Sequence, residues 1–256
     1  MKAKKSFGQH FLKNEEITKS IATSLSLNRE GMDVLEIGPG KGALTKYLLE
    51  LPINLLVVES DRDMIAHLKT NFPLLKNRII ELDVLKVNFK HHFDNQFLVI
   101  GNFPYNISSQ ILFKVLENRD LIPEMVGMFQ KEVGVRVAAP PGSKIYGVTS
   151  VLVQAFYDAE VLFEVDRFNF IPPPKVQSAV IKLTRKKDQE LGYDFSLFKS
   201  IVKITFGQRR KMLRNTLKQF SQDPEFLLQK RFEKRPEQLS VKEFIDLTNE
   251  IALQNE

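Results

Sequence analysis

Short apolar runs that alternate with helix-like segments constrain the fold of this chain more than any other feature. Strand-like runs fall at residues 33–37, 55–58, 79–82, 97–100 and 125–129, and helix-like runs at 44–51, 62–71 and 108–117. Apolar strands that alternate with helices are typical of a parallel sheet covered by helices on both faces. We therefore predict an α/β fold with a doubly wound sheet.

The pattern of apolar and charged residues changes toward the second half of the chain. Two more strand-like runs, 161–165 and 179–183, flank a triple proline at 172–174, and they predict an antiparallel addition at the sheet edge. From Arg185 a charged linker leads into helix-period segments near 194–220 and 240–253. The sequence thus predicts two domains, 1–184 and 185–256, of which the second is small and helical.

Composition excludes several kinds of site. The chain has no cysteine, and its four histidines lack the HExxH spacing of zinc enzymes, so we expect no metal. No segment approaches the roughly 20 consecutive apolar residues of a membrane helix, and residues 1–5 lead into a polar stretch rather than a signal sequence. We expect a cytoplasmic protein with no membrane partner.

The net charge of +6 is unevenly distributed. Residues 185–256 carry 15 Lys and Arg against 11 Asp and Glu, whereas residues 1–184 carry 22 against 20. An anionic partner such as nucleic acid and an ordinary solvated surface explain this charge equally well.

Three strand ends carry groups that suit a nucleoside. Gly38 and Gly40 in the Glu-Ile-Gly-Pro-Gly-Lys-Gly loop follow the first strand and allow the backbone to approach a ligand closely. Glu59 closes the second strand, where its carboxylate can accept both ribose hydroxyls. Asp83 ends the third strand and can accept a bond from an adenine amine, although a helix cap explains it as well. A nicotinamide cofactor and S-adenosylmethionine both fit this pattern.

The Asn-Phe-Pro-Tyr stretch at residues 102–105 favours S-adenosylmethionine. An adenine amine is a poor nucleophile, because its lone pair is delocalised into the ring. The side-chain carbonyl of Asn102 and the backbone carbonyl of Pro104 can grip its N–H groups, and the Tyr105 ring can support an extruded base. We interpret the stretch as a site that activates a flipped-out adenine before a methyl sulfonium, the alternative being a simple turn.

Five motifs together resemble those of a known family. They are residues 7–12 (FGQHFL), 36–40 (EIGPG), 102–108 (NFPYNIS), 170–176 (FIPPPKV) and 208–211 (QRRK). Over nearly the whole chain they are similar to the ribosomal RNA adenine dimethyltransferases, specifically the KsgA branch. The resemblance implies a Rossmann-like methyltransferase domain that uses S-adenosylmethionine. It further implies dimethylation of two adjacent adenosines in a 3′-terminal hairpin of small-subunit (16S) ribosomal RNA, on the immature small ribosomal subunit. We expect a monomer.

The resemblance also assigns roles to residues. It places the cofactor contacts on His10, Leu12, Gly38, Gly40, Glu59, Asp83 and Asn102. His10 stands where the family often has Asn, and Phe103 stands where this branch usually has Leu; we expect the Phe103 ring to pack away from the target. Phe170 looks like a second stacking platform opposite Tyr105, with core packing as the alternative.

A basic stretch in the predicted helical domain suggests where RNA binds. Arg210, Arg214 and Lys218 recur every four residues, which predicts one helical face beside an apolar stripe of Leu213, Leu217 and Phe220. With Arg209 and Lys211 they form the predicted RNA-binding set, which contacts phosphates and recognises shape and charge more than sequence.

Other functions remain open at this point. A nicotinamide-dependent oxidoreductase shares the glycine loop and Glu59 but leaves residues 102–105 and the basic stretch unexplained. A DNA adenine methyltransferase shares the chemistry, yet residues 185–256 are short for a target-reading module. An antibiotic-resistance enzyme acting on large-subunit RNA shares the catalytic motifs; Pro39, the triple proline and residues 208–211 favour the small-subunit branch. A non-catalytic role in subunit assembly is compatible with enzymatic activity.

Overall fold

A computed structural model describes residues 8–27, 30–187, 192, 194–221 and 223–254. Phe7 of the FGQHFL motif and residues 188–190 of the predicted linker lie outside these residues.

Strands and helices alternate through the first half of the chain, as predicted. The strands are β1 (Phe11–Leu12), β2 (Met32–Ile37), β3 (Ile53–Val58), β4 (Ile79–Ile80), β5 (Leu98–Asn102), β6 (Glu124–Gln130), β7 (Tyr157–Val165), β8 (Phe170–Ile171) and β9 (Ser178–Arg185). The helices are α1 (Glu15–Ala22), α2 (Thr45–Leu48), α3 (Arg62–Asn71), α4 (Ser108–Glu117), α5 (Lys131–Val137), α6 (Val148–Gln154), α7 (Phe195–Gly207), α8 (Leu213–Thr216), α9 (Pro224–Leu228) and α10 (Val241–Gln254).

The main sheet has seven strands in the order β4-β3-β2-β5-β6-β9-β7. Its neighbours from β4 to β6 run parallel, whereas β9 runs antiparallel to β6. These pairings confirm the predicted parallel sheet and the antiparallel addition by residues 179–183. The strand order reverses between β2 and β5, and doubly wound sheets bind ligands at the carboxyl ends of the strands beside such a reversal.

Burial on both faces explains why the strands appear as continuous apolar runs. Val34 in β2, Leu55 and Val57 in β3, and Leu98 and Ile100 in β5 are all buried in one core cluster. A strand covered on both faces has no solvent side to alternate with, so its apolar residues run consecutively.

The contacts within the chain define two compact units. The first comprises Met1–Gly134 and Ala159–Arg185, and the second comprises Val135–Asp158 and Lys186–Glu256. The predicted division at residue 185 therefore needs a correction, since residues 135–158 belong to the second unit. The physical reason is α6, which buries Val151, Leu152 and Val153 and packs against α7 and α10.

The helix predicted near residues 194–220 is wrong in its length. Helix α7 ends at Gly207, and α8 begins only at Leu213 after a turn. Glycine is a poor helix former, and the Leu213 N–H donates 2.9 Å to the Lys234 carbonyl instead of continuing α7. No helix among the described residues is long and apolar enough to cross a membrane.

Candidate active site at the carboxyl ends of the strands

A cavity of about 500 Å³ lies in the first unit, where β2, β3 and β5 end. Its wall is built by the segment around β1, the glycine loop, and the residues that follow β3, β4 and β5. Nine of the predicted site residues line it: His10, Leu12, Gly38, Gly40, Glu59, Asp83, Asn102, Pro104 and Tyr105. Side chains far apart in sequence thus meet because parallel strands end at one edge of the sheet.

The glycine loop is held in a conformation that favours glycine. Gly38 has a φ of 69° and Gly40 a φ of 55°, which is the left-handed region. The Gly38 N–H donates 3.0 Å to the Val58 carbonyl and ties the loop to β3. A Cβ at Gly40 would also come within 3.2 Å of the Phe11 ring. The loop therefore presents bare backbone to the cavity.

Glu59 is buried at the end of β3 and already accepts several backbone bonds. Its Oε1 accepts from the N–H groups of Ser60 and Asp61 at 2.8 and 2.9 Å, and its Oε2 accepts from Gly40 at 3.2 Å. Burial raises the pKa of Glu59, and these three N–H groups oppose that rise. A carboxylate offers about four acceptor positions, so roughly one remains on Oε2 in this conformation. Accepting both ribose hydroxyls would require the Gly40 bond to open.

Glu36 is a buried group to which the sequence assigned no role. The Thr45 hydroxyl donates 2.7 Å to its Oε2. Burial raises the pKa of Glu36 to about 8, with a further contribution from the nearby charge of Glu59. At neutral pH Glu36 is thus protonated, and Glu59 is the second buried acid of the cavity wall. The only sequence signal for the pairing of Glu36 with Glu59 was the position of Glu36 in the EIGPG motif, next to the glycine loop.

Asp83 caps a short helix and also lines the cavity. Its Oδ1 accepts from the Leu85 N–H at 3.0 Å and caps the short helix Val84–Lys86. The side chain also lines the cavity between Leu82 and Val84. The cap occupies Oδ1, so Oδ2 is the oxygen that can receive a ligand N–H.

Asn102 closes β5 with a defined amide orientation. Its Nδ2 donates 3.1 Å to the backbone carbonyl of His10. Oδ1 is therefore the remaining acceptor of the amide. The Pro104 carbonyl accepts from the Ile107 N–H at 3.1 Å, and its second lone pair remains. Two carbonyl acceptors thus belong to one turn that lines the cavity.

The aromatic residues of this turn face different surroundings. The Phe103 ring is buried and packs edge-on against Phe129, with centroids 5.1 Å apart and planes at 75°. Phe103 thus packs into the core beneath the cavity that it helps to line. The Tyr105 ring is partly exposed and lines the cavity, and burial raises the pKa of its hydroxyl.

His10 and Ser178 hold Tyr105 in place. The His10 ring stacks on the Tyr105 ring with centroids 5.5 Å apart and planes at 26°, and the Tyr105 hydroxyl bonds to Ser178 Oγ. His10 Nδ1 lies 2.8 Å from the Pro172 carbonyl, so Nδ1 carries the proton that this bond requires. Sequence reasoning missed these contacts, because the partners are 73 and 162 residues apart.

The prediction that Phe170 forms a second stacking platform opposite Tyr105 is wrong. Its side chain is 1% exposed, belongs to the core cluster and does not line the cavity. The cause is the pairing of β8 with β1, which places Leu12 opposite Phe170 and seals the ring into the core. The structure therefore shows core packing, the alternative considered for this residue, in place of a stacking platform.

The predicted RNA-binding residues lie in the second unit but share no helical face. Arg210 lies in the turn after α7, Arg214 in α8, and Lys218 beyond α8, whereas Leu213 and Leu217 are buried as predicted.

These cations also differ in their partners. Arg209 donates to the Ser143 carbonyl at 3.2 Å and lies 3.7 Å from a Glu237 oxygen, and Arg214 lies 3.5 Å from Glu233. Arg210, Lys211 and Lys218 are exposed and form no ion pair with any residue in the described ranges. The last three are therefore the cations most accessible to an anionic ligand.

Known proteins resemble this chain over nearly its whole length. The family described as ribosomal RNA adenine dimethylase matches residues 1–253. A ribosomal RNA small subunit methyltransferase A from Flavobacterium johnsoniae is 56% identical, covering 98% of this chain and 96% of the relative. A protein of the same name from Parabacteroides distasonis is 54% identical, covering 97% of this chain and 93% of the relative.

Solved structures agree with this similarity. A dimethyladenosine transferase from Plasmodium falciparum superposes with a TM-score of 0.81 at 28% identity, covering 96% of this chain and 98% of its own. The 23S rRNA methyltransferase ErmE reaches a TM-score of 0.68 at 23% identity, covering 93% and 99%. At that identity ErmE shows the shared fold alone.

Proposed function

This chain belongs to the ribosomal RNA adenine dimethylase family, and we propose which RNA it modifies and which of its residues do so. It is an S-adenosylmethionine-dependent enzyme that dimethylates the N6 amine of adenine in ribosomal RNA. Its proposed substrate is a pair of adjacent adenosines in a 3′-terminal hairpin of small-subunit (16S) RNA on the immature small subunit.

The cavity suits S-adenosylmethionine. The bare backbone at Gly38 and Gly40 would accept close approach of the cofactor, and the remaining acceptor on Glu59 Oε2 suits a ribose hydroxyl. Asp83 Oδ2 suits an adenine amine. His10, Leu12 and Asn102 line the same cavity and complete the proposed binding set. When bound, the cofactor supplies an electrophilic methyl group on a positively charged sulfur.

The observation that carries the proposed mechanism is the amide orientation of Asn102. Because Nδ2 donates to His10, Oδ1 can accept one N–H of the target amine while the Pro104 carbonyl accepts the other. Two acceptors on the N–H groups favour a pyramidal nitrogen and direct its lone pair toward the methyl group. Positioning of this kind supplies most of the acceleration, and a strong general base is not needed. The Tyr105 ring supports the base.

Identity to relatives supports the small subunit as the substrate. Relatives that are 50 to 56% identical over most of their length are named as small subunit methyltransferases. The likeness to the 23S enzyme ErmE is 23% in sequence and concerns the fold. A large-subunit substrate is therefore the less favoured alternative, and a nicotinamide-dependent oxidoreductase has no support in family membership.

The second unit is proposed to bind the phosphates of the RNA. The most accessible cations are Arg210, Lys211 and Lys218, with Arg209 and Arg214 contributing beside their own carboxylate partners. Charge and shape of the immature subunit, more than base sequence, would then guide docking. We place this activity in the cytoplasm and expect a monomer.

Methylation of immature small subunits by the wild type and by Asn102→Ala tests the proposal. With labelled S-adenosylmethionine, the wild type should convert adenosine in the small-subunit RNA to N6,N6-dimethyladenosine. Asn102→Ala should lower the rate by about 100-fold to 1,000-fold, the usual cost of losing one preorganised polar contact in a transition state. Calorimetry should show that the variant still binds S-adenosylmethionine, because the other proposed cofactor contacts remain. A near-normal rate for Asn102→Ala would refute the role of Oδ1, and absence of label with the wild type would refute the substrate.

A further inference from the structure

An exposed apolar surface lies on the loop that leads to the antiparallel strand β9. We call residues 166–177 the proline loop. Three of its side chains are largely exposed: Phe168 by 63%, Ile171 by 59% and Val176 by 44%. Single exposed apolar residues are common, but three within nine positions mark a surface that is suited to a ligand.

The Phe168 ring is presented on a well-supported turn. Asp166 caps the short helix Arg167–Asn169 by accepting from the Phe168 N–H at 2.8 Å. The Asn169 carbonyl accepts from the Lys13 N–H at 2.9 Å, and the Asn169 side chain accepts from Asn14 at 3.0 Å. Phe168 therefore faces solvent because its backbone is fixed there, and ligand binding would cost little ordering.

The loop also carries positive charge. The Arg167 guanidinium lies 4.8 Å from the centroid of the Phe168 ring, and Lys175 is exposed on the far side of the prolines. Neither side chain forms an ion pair with any residue that the structure describes. Asp166 is the acid within the loop, and one of its oxygens is already used by the cap. An exposed aromatic ring beside free cations is the combination that binds single-stranded nucleic acid.

Both sides of the prolines are tied to the proposed target site. The Pro172 carbonyl bonds to His10 at 2.8 Å, and Ser178, the residue that follows the loop, bonds to the Tyr105 hydroxyl. His10 and Tyr105 are stacked on one another at the cavity. Pro172 and Ser178 therefore lie beside the two rings that we propose to hold the target adenosine.

We propose that the proline loop binds an unpaired nucleotide next to the target adenosine, with its base on Phe168 and its phosphates at Arg167 and Lys175. The inference rests on the proposed function and adds a contact on the catalytic unit itself. The recognition is independent of base identity, since every base has a face that can stack.

A fluorescent RNA tests this contact directly. The probe is a short single-stranded RNA with one adenosine flanked on both sides by 2-aminopurine, whose fluorescence is quenched by stacking. The wild type should quench the probe, and Phe168→Ala should abolish the quenching and weaken binding by on the order of 10-fold. Leu74→Ala is the matched control, because Leu74 is 70% exposed in the same unit and lies outside the loop. Phe168→Leu, which keeps the apolar surface without the ring, should behave like Phe168→Ala.

Three outcomes would overturn the inference. One is equal quenching by the wild type and Phe168→Ala, and another is no quenching by the wild type. The third is weaker binding of immature subunits by Phe168→Ala with unchanged binding of the RNA probe, which would assign the surface to a ribosomal protein. Methylation of subunits by the wild type is measured in parallel. Its absence would count against the proposed function, whereas its presence together with any of the three outcomes would count against this inference alone.

Discussion

The two units differ in what fixes the side chains that we propose to be functional. In the first unit Glu59 and Asn102 sit at the ends of strands and are held by backbone N–H and carbonyl groups. In the second unit Arg210 and Lys211 project from a turn between α7 and α8 into solvent. A site built by backbone contacts responds to the loss of a single atom, whereas a set of solvent-facing cations acts through its number and position.

This difference sets the expected effects of substitution. Changes at the strand-end side chains of the first unit should alter stability, cofactor affinity or catalysis, because those side chains are held within the packed structure. Changes at the accessible cations of the second unit should alter RNA binding and leave stability and cofactor affinity unchanged.

The largest effect is expected at Phe170. Replacing this buried ring in Phe170→Ala should lower the free energy of unfolding by about 3–5 kcal/mol, as for other buried aromatic residues. Phe168→Ala is the control two positions away, and its 63% exposure predicts a change within about 0.5 kcal/mol. Urea denaturation measures both. If Phe170→Ala were as stable as the wild type, the ring would not be part of the core. Its predicted role as a stacking platform for the target base would then stand again.

Glu59→Ala is expected to have the next largest effect. It removes a charged acceptor from the cofactor site, and one such hydrogen bond contributes roughly 1.5–3 kcal/mol. The dissociation constant for S-adenosylmethionine should therefore rise by about 10-fold to 150-fold in calorimetry. It also leaves the N–H groups of Gly40, Ser60 and Asp61 without their acceptor, so the melting temperature should fall. The control Glu81→Ala removes an exposed carboxylate paired with Lys69. Unchanged affinity in Glu59→Ala would contradict the placement of the ribose.

Reversal of the accessible cations should affect RNA binding alone. In the triple variant Arg210→Glu, Lys211→Glu and Lys218→Glu, affinity for immature subunits should fall by about 10-fold or more. A plot of log affinity against log salt concentration should become flatter, and its slope should lose roughly 0.7 to 0.9 in magnitude for each lost phosphate contact. Cofactor affinity should not change.

A charge-matched variant separates position from net charge. It reverses three exposed lysines elsewhere in the same unit: Lys203, Lys230 and Lys242. If both triple variants lose affinity for immature subunits equally, the positions of Arg210, Lys211 and Lys218 have no special role. If the first variant loses cofactor affinity instead, the division of labour between the units is wrong.

The effect expected to be smallest over a single pH unit is a pH dependence of stability at Glu36. In the folded protein the pKa of Glu36 is about 8, whereas the ordinary pKa of a glutamate, 4.5, applies in the unfolded chain. Between these two pH values the folded state keeps a proton on Glu36 that the unfolded state has released. This contribution is fully present below pH 4.5 and is lost as pH rises toward 8, with a slope of at most about 1.4 kcal/mol per pH unit.

Glu36→Gln makes this contribution visible. The amide is neutral at every pH and can still accept from Thr45, so the variant should gain stability over the wild type as pH rises. Between pH 6 and pH 7 the gain should be about 1 kcal/mol in denaturant titrations. A difference between the two proteins that stays constant from pH 5 to pH 8 would mean that Glu36 is ionised in the folded state.

The sequence predicted the catalytic unit better than the helical one, for physical reasons. Strand ends in a parallel sheet converge by topology, so the sequence alone assigns Gly38, Glu59, Asp83 and Asn102 to one edge. The bonds that orient them join distant residues, as between Tyr105 and Ser178, and no local pattern encodes such pairs.

The errors have equally specific causes. Four-residue spacing suggested one helical face for Arg210, Arg214 and Lys218, but Gly207 ends the helix and a tertiary bond at Leu213 starts another. Phe170 lies next to a rigid proline turn, as predicted, yet its pairing with β1 buries the ring. In both cases a long-range contact decided what the local pattern left open.

A competition between the two ribosomal RNAs tests the central claim most directly. Immature small subunits and large subunits are mixed in equal amounts with the wild type and isotope-labelled S-adenosylmethionine, and each RNA is digested and analysed by mass spectrometry. We predict two adjacent labelled N6,N6-dimethyladenosines in the small-subunit RNA and none in the large-subunit RNA. Label confined to the large-subunit RNA would contradict the account of substrate choice, although adenine methylation itself would stand.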